Sequence, residues 1–321
     1  MLPAEGHGGA ASPPTALHTA VHRGDAREVA RLLKAAAGGR NDVASVMVGG
    51  QTPLHTAVRL GAAGHDIVGA LLACSADITA QDAFGNNALH YAASEQSGVL
   101  ELILARTPPG KALLDAAGAR NTAGCTPLAR AVQAGSIPAV QMLLRTRPGC
   151  VGEADARGAT ALHHAAELTP FDDATQRGGV SVEIAELLLG CGGGLQVGAL
   201  THNRDTALHY AAAKGSVALV NLLVHSAGGE GVDAPNADKR TPLDLATLSS
   251  ASAASSNEQL RFAGFPGHSA NRHAVIAALL AAPRRGAGGT PAQSQGKPRH
   301  AGGREHVGAR INPRPVCKPQ K

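Results

Sequence analysis

One short phrase recurs along this chain, and its recurrence limits the folds open to it. Residues 206–209 read Thr-Ala-Leu-His. The same phrase, or a close variant, occurs at Thr15-Ala-Leu-His18, Thr52-Pro-Leu-His55, Asn87-Ala-Leu-His90 and Thr160-Ala-Leu-His163. Two degenerate copies stand at Thr126-Pro-Leu-Ala129 and Thr241-Pro-Leu-Asp244. The first residue is always Thr or Asn, whose side-chain oxygen caps a helix N-terminus. The second is Ala or Pro, and proline suits the first helical position. Downstream of each opening lies an apolar doublet: Leu32-Leu33, Leu71-Leu72, Ile103-Leu104, Leu143-Leu144, Leu187-Leu188, Leu222-Leu223 and Leu279-Leu280. In 206–224 the pattern predicts a short helix ending at Gly215, then a second from Val217 to Val224 with Leu219, Val220, Leu222 and Leu223 inward. Such a hairpin cannot bury its apolar face alone and needs a similar neighbour on each side.

Seven copies with this signature resemble the ankyrin repeat, Thr-Pro-Leu-His-x-Ala at a period of 33 residues. The resemblance covers residues 15–282. It implies an all-α dominated solenoid of stacked helix-turn-helix units, with short β-hairpin fingers projecting sideways and the first helices lining a concave groove. It also implies that each signature histidine hydrogen-bonds its capping residue and neighbouring backbone. The signature position falls at 18, 55, 90, 129, 163, 209 and 244, so the spacings are 37, 35, 39, 34, 46 and 35 residues. Every excess over 33 reads as a surface insertion. The large ones are at 168–179 and 249–271, with a small one at Gly61-Ala-Ala. Residues 1–14 and 283–321 are expected to be disordered.

Composition agrees. Hydrophobic residues make up 44% of the 321 but aromatics only 2%, as suits Ala/Leu-packed helices joined by turns with 40 Gly and 19 Pro. From Arg284 onward, nine Lys or Arg stand against Glu305 alone, so this tail carries +8 of a net +5 and the rest carries −3. A solvated tail is the default expectation, with weak electrostatic contact to an acidic partner or nucleic acid as the alternative; it lacks the aromatics that stack on single strands. The five cysteines include no C-x-x-C pair, which disfavours a zinc or redox motif and suits a reducing compartment. No apolar run reaches membrane-spanning length. The expected protein is a monomer in the cytoplasm, with the nucleus as an alternative.

Nothing in the motifs points to catalysis. No nucleophile elbow, phosphate loop or H-E-x-x-H is present, and Gly192-Gly-Gly194 lacks the Lys-Ser/Thr of a P-loop. The signature histidines recur once per repeat, too far apart to share a metal. His163 and His164 are consecutive on a helix and do not face one another. The expectation is therefore no catalytic, cofactor or metal site.

Partner-binding residues are expected in the fingers and groove. The finger stretches supply Asp82, Phe84, Asn121, Arg157, Asn203, Arg204, Lys239 and Arg240. Two fingers carry Arg204 and Lys239 where the others have Gly, and altered tips are expected there. The position after the signature histidine, in the groove and partly buried by resemblance, supplies Tyr91, Arg130, His164 and Tyr210, either as a stripe for a partner or as packing between repeats. The insertions supply Phe171, Phe262 and Phe265, as contacts or as plugs folded over the helices. These features imply a scaffold or adaptor for partner proteins. A nucleic-acid-associated or transcription-regulatory protein using the basic tail is the alternative. A second alternative is a role like that of the seven-repeat proteasome-assembly chaperone of the family, although the insertions argue against equating the two.

Overall fold

In the computed structural model the chain is described at residues 13–36, 44–95, 98–168, 179–192, 197–247 and 269–282, the side chains of 13–15 and 269–273 excepted. The insertion residues Phe171, Phe262 and Phe265, and the basic tail, lie outside them. The helices are α1 (Pro13–His22), α2 (Ala26–Ala36), α3 (Pro53–Arg59), α4 (His65–Ala73), α5 (Ala88–Ser94), α6 (Val99–Arg106), α7 (Lys111–Gly118), α8 (Pro127–Gln133), α9 (Ile137–Thr146), α10 (Ala161–Glu167), α11 (Val180–Gly192), α12 (Ala207–Lys214), α13 (Val217–Ser226), α14 (Pro242–Thr247) and α15 (Ser269–Ala281). Signature helices α1, α3, α5, α8, α10, α12 and α14 pack each on the next in one layer. Helices α2, α4, α6, α9, α11, α13 and α15 do the same in a second. The core between the layers is Ala, Val and Leu, including Leu54, Leu89, Leu128, Leu162 and Leu208 from the motif itself.

The local rules hold in detail. Thr52, Asn87, Thr160 and Thr206 are extended residues that cap α3, α5, α10 and α12, each in a reciprocal box with the histidine three residues on. Gly215 closes α12 in the left-handed conformation, φ 78°. In α13 the buried set is Leu219, Val220, Leu223 and Val224, with Leu222 only half-buried. The Gly61 insertion forms a 3-10 turn, Gly61–Gly64. The 39-residue spacing conceals a whole helix, α7, which packs on α8 and α9. Asn87, the one Asn among the seven caps, uses it: its Nδ2 donates to the Ala116 carbonyl at 2.8 Å.

The fingers are tighter than β-hairpins. Among the described residues the single bridge is Val48–Gln51, around Gly49 and Gly50, which both have positive φ, as a two-residue hairpin turn needs. The later fingers are five-residue turns beginning at Asp82, Asn121, Asp155, Thr201 and Asn236. In each, the first N–H donates to the fifth carbonyl and the fourth N–H to the first carbonyl. The fourth residue is left-handed throughout: Gly85, Gly124 and Gly158, but also Arg204 (φ 62°) and Lys239 (φ 61°). The last two tips therefore keep the backbone of the others, contrary to the expected alteration, and carry strain instead. A left-handed non-glycine costs about 1–2 kcal/mol, part of which glycine returns as chain entropy. Arg204→Gly and Lys239→Gly should thus each stabilise the array by about 1 kcal/mol in urea titrations. A loss of stability in either would show that the side chain's own contacts outweigh the strain.

Candidate functional site: the finger row and the groove

The fingers are joined edge to edge. Thr122 N donates to the Phe84 carbonyl (2.9 Å), Ala156 N to Ala123 (3.0 Å), His202 N to Arg157 (2.8 Å) and Ala237 N to Asn203 (2.8 Å). Between the fingers that begin at Asn121 and Asp155 there is no room for a side chain at the turn: a Cβ on Gly124 would lie 2.4 Å from Ala156 N. The first residue of each turn is consumed internally. Asp82 Oδ1 accepts from the amides of Phe84 and Asn86, and Asn121 Oδ1 from Ala123 and Cys125. Asp155 and Asn236 repeat the arrangement.

Beneath the row, each signature histidine reaches up into the next finger. Nδ1 of His55 accepts from Thr52 N (3.2 Å), so Nε2 carries the proton and donates to the Asn86 carbonyl at 3.0 Å. His90 bonds to Cys125 O (3.0 Å), His163 to Asp205 O (3.1 Å), His209 to Arg240 O (3.2 Å) and His18 to Gln51 O (3.0 Å). The acceptor is in every case the residue before the next cap. Burial favours the neutral ring and pushes His90 and His163 down to about 4. These histidines act structurally, as the family resemblance implies.

The chain of links has one break. Ala129 replaces a histidine, so no imidazole reaches the Ala159 carbonyl, which closes only its own turn, from Asp155 N at 2.8 Å.

The predicted contact residues divide accordingly. Phe84 is 65% exposed. Arg204 and Lys239 are exposed, and Asn203 and Arg240 half-buried, with their backbones fixed by the row. Tyr91 is half-buried. Its hydroxyl donates to Asp82 Oδ2 at 2.5 Å, its ring meets His55 edge-on, and the Arg59 guanidinium lies 5.7 Å from its centroid. Tyr210 sits edge-on to His163 in the same way. Arg130 is half-buried and donates to Gln133 Oε1 (3.2 Å). Asn121 is half-buried, and its Nδ2 is held by Asn86 Oδ1 at 2.9 Å. Two expectations are corrected. Asp82 is 7% exposed and spends both oxygens on its own turn and on Tyr91. His164 is 1% exposed, enclosed by Gln133, Asp155 and Glu167, and is not on the groove surface. Burial opposes its charged form, but hydrogen bonds to Cys125 and Glu167 and the Asp155 carboxylate push it up to about 9. Arg157 keeps 42% exposure at its side chain while pairing with Asp155 (3.3 Å) and Glu167 (3.6 Å).

Sequence reasoning passed over Arg59 and Gln133. At the N-terminal end of the array His18, Thr19, His22, Arg23, Arg59 and Leu60 line a hollow of about 660 Å³. Among the described residues no helix is long and apolar enough to cross a membrane.

Comparison with known proteins agrees with the geometry. The ankyrin-repeat family model matches residues 4–82, 62–151, 89–176 and 171–255. The mouse B-cell lymphoma 3 protein homolog is 32% identical over 234 residues, 72% of this chain and 48% of that protein. Human Rabankyrin-5 is 29% identical over 184 residues, 49% of this chain and 15% of that one. The chain thus spans less than half the length of these relatives. Among solved structures, the ankyrin repeat domain of Bcl-3, titled a unique member of the IkappaB protein family, is 31% identical with a TM-score of 0.57, over 72% of this chain and 92% of that one. The ankyrin repeat protein EF0377 is 25% identical with a TM-score of 0.54, over 65% of this chain and 96% of that one. Members of this family typically mediate protein–protein interaction. With the motif, the two-layer stack and the family model in agreement, this chain belongs to the ankyrin repeat family.

Proposed function

We propose that this chain is a non-catalytic scaffold or adaptor that binds one or more partner proteins, as a monomer, through its finger tips and groove. The observation that carries this reading is the division of labour within each finger. Backbone and first side chain are consumed in holding the turn, while the tip side chains Phe84, Arg204 and Lys239 stand exposed on a rigid row. A rigid backbone lowers the entropy that binding must overcome. Tip and near-tip positions of the last two fingers carry Arg204, Lys239 and Arg240 against Asp238, which suits an acidic segment on the partner.

A triple Phe84→Ala, Arg204→Ala, Lys239→Ala variant tests it against the partners that co-purify with the intact chain. Binding should weaken by at least roughly tenfold, the effect of losing about 1.4 kcal/mol at a hot spot. Stability should stay within about 0.5 kcal/mol per substitution, as for surface sites. Unchanged binding by a folded variant would remove the fingers from the interface.

The chicken relative named nuclear factor NF-kappa-B p105 subunit, 29% identical over 173 residues, favours a second reading as a nuclear regulator. In that case the basic tail would contact nucleic acid, and association would fall steeply with salt.

A further inference from the structure

The joint between the fourth and fifth repeats, where the histidine link is missing, holds a cluster of ligand-type side chains. Cys125 of the third finger, Asp155 of the fourth and His164 of α10 are all buried, and each offers a ligand atom within 4.8 Å of the others. His164 Nε2 lies 3.3 Å from Asp155 Oδ2. That matches the edge of a zinc tetrahedron, about 3.3 Å for bonds of about 2.0–2.1 Å. Asp155 Oδ1 is spent on its turn, which fixes the carboxylate, and Oδ2 faces both His164 and the Arg157 Nε, each at 3.3 Å. The Cys125 sulfur lies in hydrogen-bonding contact with His164 as well as 4.0 Å from the Ala123 carbonyl.

The surroundings are those of an outer coordination shell. Glu167 Oε2 lies 3.6 Å from His164 Nδ1, on the far side of the ring from Asp155, where a carboxylate orients a metal-bound imidazole. The Gln133 amide nitrogen lies 3.7 Å from the Cys125 sulfur, placed to donate to a thiolate. Arg157 ties Asp155 to Glu167 and balances the acids.

We propose that Cys125, Asp155 and His164 bind a divalent transition metal of the zinc class, which joins the fourth and fifth repeats where the histidine link is missing. Thiolate, imidazole and carboxylate are the zinc donor set. Binding releases the Cys125 thiol proton and the His164 imidazolium proton to solvent, and the fourth position is left for water. His163 takes no part, since both its nitrogens are engaged with Thr160 and Asp205.

The full chain, stripped with chelator and dialysed, should be titrated with Zn²⁺ and, separately, with Co²⁺. One zinc should be retained per chain with a rise in melting temperature. Co²⁺ should give the near-ultraviolet band of a thiolate–cobalt bond and the visible bands of a tetrahedral ion. Cys125→Ser and His164→Gln should abolish both, while Cys74→Ser and Cys191→Ser, at exposed thiols, should not. Glu167→Gln, at a half-exposed residue that is not a ligand, should weaken zinc binding by about 10–100-fold. The cobalt spectrum of the unmutated chain decides the matter even if the buried substitutions fail to fold. Absence of the thiolate band, or its persistence in Cys125→Ser, would overturn the proposal and leave a metal-free His164–Asp155 ion pair in its place.

Discussion

Between pH 6.5 and pH 4 the array will lose several kcal/mol of stability. His90 alone accounts for about 3 kcal/mol of that, at 1.36 kcal/mol per unit of pKa difference. In the unfolded chain its imidazole takes up a proton below about 6.5. In the folded array burial holds it neutral down to about 4. Over that interval the unfolded state binds more protons, so the contribution is whole above 6.5 and gone at 4. His55 and His209 are also lowered by burial, and His163 is pushed down to about 4, so all have the same sign. His164 runs the other way. Raised to about 9, it stabilises fully below 6.5 and loses that contribution towards alkaline pH, so it does not offset the acid loss. Urea midpoints at pH 7, 5.5 and 4.5 measure the slope. A flat profile would mean that the folded array takes up protons as readily as the unfolded chain, so that burial does not hold these imidazoles neutral.

The second large effect is that of His90→Ala. The ring is 1% exposed and accepts from Asn87 N while donating to Cys125 O. Its removal leaves a buried amide without a partner and opens a cavity between repeats. The expected cost is about 3 kcal/mol. Because each unit touches only its neighbours, the damage should stay local. Amide exchange at Asn121 and Cys125, which close the adjoining finger, should quicken far more than at Asn236 and Lys239. The acid slope should also flatten by the share of His90. Phe84→Ala, at an exposed tip, should change stability by no more than about 0.5 kcal/mol. If His90→Ala and Phe84→Ala melt alike, the imidazole is not what holds the row.

The motif made the stack legible because cap, proline, leucine and histidine each have a local physical role that recurs at fixed spacing. What escaped was tertiary. Helix α7 hid in a 39-residue spacing because Lys111–Gly118 looks like any surface insertion until Asn87 is seen to donate to its carbonyl. Arg204 and Lys239 suggested different tips because glycine is the usual left-handed residue, yet finger-to-finger bonding enforces the same turn without it. Asp82 and His164 sat at positions of apparent exposure. What buries them comes from elsewhere in the fold, Tyr91 for the one and Gln133 with Asp155 for the other. No periodicity could bring together Cys125, Asp155 and His164, since each lies on a different element.

Ala129 leaves three imidazole links on its N-terminal side, from His18, His55 and His90, and two on its C-terminal side, from His163 and His209. In a row of units coupled only to their neighbours, the boundary between an ordered and a melted stretch settles at the weakest joint. For this chain the seam between α8 and α10 is the inner joint that lacks an imidazole link. A polypeptide emerging from the ribosome can complete its first four units before the fifth exists, and a pulling force or a protease meets the same seam from the other direction. The side chains that bridge this seam, Gln133 to His164 among them, therefore decide whether the two runs rise and fall as one cooperative body or as two.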